Sequence, residues 1–208
     1  MSYYYKNVEV LSMNFLFVYT NLVRVVLVIM TVVQLFKHNY KKLTPAVIVI
    51  ALTFVPWLLS LMYIQINTLT GFLFQTVVFM AVYLGSGYKY YDLYPWWDRS
   101  IHFLSGILFF GFGVSLSEKA PDAGFVGTLV FSFALSLALH EIWEVFEFLI
   151  DSTFHTDHQH WQKNSPVINH QPENAIQPPG LVDTMNDTIT SIIGTMVACV
   201  GWWIYLTL

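Results

Sequence analysis

An all-α bundle of about six membrane-spanning helices is the architecture this chain predicts, from three observations. Only 11% of its 208 residues are charged and 56% are hydrophobic, where an ordinary soluble domain devotes about a quarter of its residues to charge. Mean hydropathy is +0.57. The apolar residues run in stretches of twenty or so, the length a helix needs to cross about 30 Å of hydrocarbon. This composition excludes a disordered chain, and a formal net charge of −4 offers no attraction to nucleic acid. Cys199 is the single cysteine, which excludes an internal disulfide scaffold and leaves the redox compartment unread.

The spans are expected at 14–36, 44–66, 69–87, 99–117, 124–150 and 183–207, within a single integral membrane domain covering 1–208. The N-terminal MSYYYKNVEVLSM lacks a basic n-region and a small-residue cleavage site, so the first span is expected to remain as an uncleaved anchor. Pro45 suits the first turn of the second helix, and Pro56 should kink its middle. Between spans five and six, 152–182 reads as a polar, His-rich loop without periodicity, of a length usually reserved for function. Six spans place both termini on one side. Lys37, Lys41, Lys42, Lys89, Arg99 and Lys163 lie on the side of the odd-numbered loops, and Lys6 and Lys119 on the other. That bias puts the long loop in the cytoplasm.

The acids carry the most information. Seven of the 13 acidic residues lie in or at the ends of the last three spans: Asp98, Glu141, Glu144, Glu147, Asp151, Asp183 and Asp187. Ionisable groups at membrane depth cost several kcal/mol unless something compensates them. At about 100° per residue, Asp98, His102 and Ser105 share a face of span four. His140, Glu144, Glu147 and Asp151 share a stripe of span five, with Glu141 about 60° to its side. Asp183, Asp187, Thr190 and Gly194 line span six. Span four starts, span five ends and span six starts on the same side, so the three stripes meet in one leaflet and form a polar funnel opening toward the loop. Glu141, about 15 Å below the end of span five at about 1.5 Å per residue, is the deepest of the glutamates and is expected to be the most desolvated.

Carboxylates on neighbouring helices with histidine among them fit a divalent cation such as Mg, Mn or Zn. The candidate ligands are Asp98, His102, Glu141, Glu144, Glu147, Asp183 and Asp187. His102 and Glu144 are the candidate catalytic pair, with His140 as an alternative acid or base. Asp98 and Asp183 serve equally well as helix-start charges. Glu141, Glu144 and Glu147 lack that explanation. Three carboxylates within seven residues repel one another, and Arg24 and Arg99 are the only arginines in the chain, so protons, water or metal must supply the rest. His155, His158 and His160 read first as chance histidines of a solvated loop and second as a transition-metal motif. Arg24 is expected to pair with an acid or snorkel. Trp96, Trp97, Trp202 and Trp203 read as an interfacial belt, and Gly106, Gly111, Gly113, Gly194 and Gly201 as close-packing positions.

Three motifs, WDRSIHFLSG, EIWEVFEFLID and DTMNDTITSIIGT, make the second half of the chain resemble the YjdF-like family of uncharacterised bacterial inner-membrane proteins. The order of Asp98, His102, Glu141, Glu144, Glu147, Asp183 and Asp187 is more distantly similar to the VanZ-like membrane proteins associated with glycopeptide resistance. The resemblance implies a multi-pass protein of the bacterial cytoplasmic membrane and brings no mechanism with it. The leading expectation is a protein that binds or processes a polar or phosphorylated envelope-lipid headgroup through a divalent cation, with membrane lipid as partner. The alternative is a proton- or cation-coupled transporter. A structural or accessory subunit accounts poorly for seven clustered acids.

Overall fold

The computed structural model describes residues 2–117, 124–162 and 177–207, with side chains from Phe15 onward. Lys6, Lys119 and Lys163 of the orientation count lie outside the described side chains. The described residues are helical without strands, and six helical stretches are long and apolar enough to cross a membrane: Phe15–Phe36, Tyr40–Leu61, Thr68–Gly87, Trp97–Ser117, Gly124–Phe154 and Pro179–Thr207. They fall into two compact units, one up to Lys89 and one from Tyr90.

In the first unit α1 (Ser2–Phe36) packs against α2 (Tyr40–Leu52) and α4 (Thr68–Val78), and α2 packs against the π-helical stretch Phe79–Gly87 that continues α4. Leu27, Ala46, Val49 and Tyr83 form its core. Because α2 begins at Tyr40, Pro45 lies inside the helix and outside its first turn. Pro56 acts as expected. The second span breaks at Thr53–Phe54 and restarts as α3 (Val55–Leu61) with the proline in its first turn, where a missing N–H costs nothing. The break exposes a carbonyl at membrane depth, which needs a donor. Arg24 supplies one: its Nη2 donates to Thr53 O at 3.0 Å and its Nε to Thr53 Oγ1 at 2.8 Å, with the guanidinium 4.0 Å over the Phe54 ring. Gln75 Nε2 donates to the same carbonyl at 3.2 Å. Arg24 therefore neither snorkels nor serves an acid here; it caps a helix break.

The second unit contains α5 (Tyr90–Leu93), α6 (Trp97–Ser117), α7 (Gly124–Phe154) and α8 (Pro179–Thr207), with α6 packed on both α7 and α8 and those two on each other. Its interior mixes the buried apolar residues of α6, among them Ile101, Leu108, Phe110 and Val114, with polar side chains, while its surface is largely apolar. The buried residues of α7 are Ser132, Ser136, His140, Glu144 and Asp151, while Ile142, Val145, Phe146, Phe148 and Leu149 are exposed. A helix facing lipid has no hydrophobic reason to hide such side chains, so small and polar residues make the helix–helix contacts. A Cβ on Gly106 would overlap Ser191 O, one on Gly194 would overlap Phe103 O, and one on Gly113 would stand 2.6 Å from Ser132 Cα. Gly201 has nothing within 4 Å, so it is not a close-packing position within this unit. Ser136 Oγ lies 2.8 Å from Thr195 Oγ1 and 3.1 Å from Gly106 O, pinning all three helices at one level. Trp97 is buried, edge-on to Tyr90 at 4.8 Å, and leaves the interfacial belt to Trp96 and Trp203, which are exposed.

Reporter fusions are expected to place Leu208 outside the cell and the 163–176 stretch, which lies outside the described residues, in the cytoplasm. A cytoplasmic C-terminus reverses the orientation and leaves the packing of α6, α7 and α8 as it is.

Candidate metal centre

The three polar stripes meet at one end of the second unit, and His102 stands where they cross. On α6 its Nε2 is 3.4 Å from Asp98 Oδ1, one helical turn earlier, and 3.9 Å from Asp187 Oδ2 of α8. Its Nδ1 faces the other way, 3.9 Å from Glu144 Oε1 of α7. His140, one turn before Glu144, brings Nε2 to 3.7 Å from the same oxygen, and its ring stands edge-on to that of His102 with centroids 5.2 Å apart.

His102, His140 and Glu144 are all buried, and their ligating atoms lie within 4.8 Å of one another. Among the described residues His140 Nε2 and Glu144 Oε1 have no hydrogen-bond partner. Leaving two such groups unsatisfied in a dry interior costs several kcal/mol. Their separation exceeds a hydrogen bond and is close to that of two ligands on one ion, because atoms about 2.1 Å from a shared metal stand about 3.0–3.6 Å apart. The donor set of two imidazoles and one carboxylate suits zinc, manganese or iron and leaves coordination positions open.

Two further groups surround this one. Asp98, His102 and Asp187 form the second, and Asp98, Asp183 and His160 the third, each with ligating atoms within 4.8 Å. The structure thus brings together Asp98, His102, Glu144, Asp183 and Asp187, and adds His140 and His160. Two sequence candidates stand outside the three groups. Glu147, half-buried, accepts a hydrogen bond from Trp143 Nε1 at 2.8 Å on its own helix. Glu141 is exposed and takes the Thr188 hydroxyl at 3.4 Å. Within the protein Glu144, not Glu141, is the glutamate buried at the helix–helix contact, because the offset of about 60° turns Glu141 off that contact. On α8 the buried position is Ser191, and Thr190 bonds Asn186 O of its own helix.

Asp151 closes the α7 stripe without joining a metal group. Its carboxylate accepts from Thr156 Oγ1 at 2.7 Å and from the backbone N–H groups of His158 and Gln159 at 2.9 Å, and stands 2.8 Å from His158 Nδ1. These bonds fold the chain after α7 back over the site. His155 and His158 are exposed, whereas His160 is buried beside Asp98 and Asp183. Tyr91 is a further neighbour, one of the tyrosines of GYKYYDLYPWW that read as interfacial rather than as site residues. Burial first, and then the carboxylates of Asp98, Glu147 and Asp187, push its phenol well above the ordinary value, so it remains a neutral hydrogen-bond donor.

Beside the centre runs a groove of about 740 Å3, lined among others by Glu141, Glu144, Val145, Phe148, Trp161 and Leu181. It combines apolar walls with Glu144, the carboxylate of the His102–His140–Glu144 group, a pattern typical of sites for molecules with a polar and an apolar part.

No curated protein matches the chain, and no solved structure does. A family model does match, described as "Predicted membrane protein (DUF2238)", over residues 19–207. That range includes all of the motifs above and five of the six spans in full. Residues, helices and family model agree on a multi-pass membrane protein, and the chain belongs to the DUF2238 family of predicted membrane proteins.

Proposed function

We propose that the second unit holds a divalent cation on His102 Nδ1, His140 Nε2 and Glu144 Oε1, and that this ion binds, for recognition or processing, the polar or phosphorylated headgroup of a lipid of the bacterial cytoplasmic membrane. The observation that carries the reading is the pair of buried, unpartnered atoms on His140 and Glu144 facing a third ligand. A divalent ion there supplies Lewis acidity toward a phosphoryl oxygen. The chain does the rest. Asp98 Oδ1, 3.4 Å from His102 Nε2, would hold the proton on that nitrogen and leave Nδ1 as ligand, the usual role of a carboxylate behind a metal-bound histidine. Thr184 of α8, which accepts Gln159 Nε2 at 2.9 Å, lines the groove beside Glu144. The groove supplies apolar walls for the lipid's chain. The same motifs relate the chain, in our reading, to the YjdF-like and more distantly the VanZ-like membrane proteins.

The broken second span favours the alternative of a proton- or cation-coupled transporter, since discontinuous helices line many transport sites. Metal analysis of detergent-purified protein separates the two. A stoichiometric, tightly held divalent ion is expected. Protein that stays metal-free after incubation with Mg, Mn and Zn salts leaves these carboxylates to a proton relay and ends the metal reading.

A further inference from the structure

One ion on His102, His140 and Glu144 does not account for the carboxylates on the far side of His102. Asp98, Asp183 and Asp187 remain there; Asp183 is 9% exposed and Asp187 3%. Among the described residues neither Asp183 nor Asp187 accepts a hydrogen bond. Buried carboxylates are retained only when a proton, a cation or donors offset them, and the charge left over after the first ion calls for a second cation.

The chain after α7 is shaped to complete a place for it. The hydrogen bonds to Asp151 wind 155–160 into a compact turn, Trp161 Nε1 donates to Thr156 O at 2.9 Å, and Gln159 Nε2 ties the turn to Thr184 of α8. The turn ends at His160, 7% exposed and at φ +46°, a left-handed backbone that a non-glycine residue holds only under tertiary constraint. The constraint puts the imidazole within 4.8 Å of Asp98 and Asp183 oxygens. This donor set shares no residue with the first one, and Asp187 stands between them, close to His102 and Asp98.

We infer that the centre is dinuclear, with a second divalent ion held by Asp98, Asp183 and His160 beside the ion on His102, His140 and Glu144. The inference rests on the proposed first site and narrows its ligand to a phosphate ester, whose oxygens two neighbouring ions clamp together. Two carboxylates and one imidazole suit manganese or magnesium at the second position. The 155–160 turn then belongs to the site as its closing piece, and Asp151 is a positioning residue that acts through His160.

Manganese is the probe, because bound Mn2+ reports both its number and its neighbours by electron paramagnetic resonance. Metal-stripped full-length protein in detergent is expected to take up about two Mn2+ per chain and to show an exchange-coupled spectrum. His160→Gln and, separately, Asp183→Asn are expected to keep about one ion with an isolated six-line spectrum. Retention of that first ion shows that each variant is folded. One uncoupled Mn2+ in the unaltered protein overturns the second ion and leaves the first site standing. Two ions persisting in both variants overturn the ligand assignment, and so does loss of both ions from a variant that unfolds at the unaltered temperature. No Mn2+ at all overturns the second ion, while the first site stands or falls by the analysis with Mg and Zn salts.

Discussion

His140→Gln and Glu144→Gln are each expected to weaken binding of the first divalent ion by well over the 10–100-fold that changes behind a metal site cost, about 1.4–2.7 kcal/mol. Each removes one of three protein ligands, and the Glu144 change also removes the only negative charge among them. The effect on the metal-free protein runs the other way. His140 Nε2 and Glu144 Oε1 have no hydrogen bond to lose, so the metal-free variants should melt close to the metal-free parent, or above it in the case of Glu144→Gln, which no longer buries a carboxylate. A ligand that binds the folded state at about 100 times its Kd stabilises it by about 2.7 kcal/mol. The metal-induced rise in melting temperature should therefore be large in the parent and nearly absent in both variants. Calorimetric metal titration and thermal unfolding in detergent check this. Equal loss of stability with and without metal would show that these side chains are structural only.

Substitution at the α6–α8 contact is expected to have the largest effect on the fold itself. At Gly106 and Gly194 the atom in the way of a Cβ is a backbone carbonyl, Ser191 O and Phe103 O respectively, and a carbonyl within a helix cannot rotate aside. Alanine at either position forces the helices apart. Overpacking costs about 1–3 kcal/mol even where side chains can adjust, so the upper end is expected for Gly194→Ala, and Gly194→Leu should prevent α6 and α8 from docking. Because Asp98 and His102 come from one of these helices and Asp183 and Asp187 from the other, metal uptake should fall with it. Gly201→Ala is the control, with no atom within 4 Å of its added methyl. Unfolding followed by fluorescence and size-exclusion in detergent reads the outcome. Gly194→Ala as stable as Gly201→Ala would mean that the helices do not approach as closely as described.

Much of the centre was legible because helical periodicity and an odd–even count of spans require no knowledge of packing. Asp98 and His102 lie one turn apart, as do His140 and Glu144 and also Asp183 and Asp187, and three spans alternating in direction return their acidic ends to one leaflet. His140 was legible as a member of the stripe, but its pairing with Glu144 and His102 depends on the rotation of α7 about its axis. That rotation also decided between the glutamates. A difference of about 100° per residue separates a buried Glu144 from an exposed Glu141, and composition carries no information about it. His160 was hidden for another reason. Nothing periodic links it to Asp98, 62 positions earlier in the chain; the link is the Asp151 carboxylate gathering backbone N–H groups, a contact formed only once the chain has turned.

The sequence by itself determined the number of spans, an interruption of the second helix near Pro56 and the end of the bundle where the acids gather, since length, ring chemistry and periodicity act within one helix and are present before any two helices touch. Only the tertiary structure decided which acids become neighbours, that Arg24 satisfies the carbonyl freed by the break, and that His160 belongs with Asp98 and Asp183. Those outcomes depend on helix rotation and close approach at Gly106 and Gly194, where the packing of small residues against backbone, rather than hydrophobicity, selects the contact.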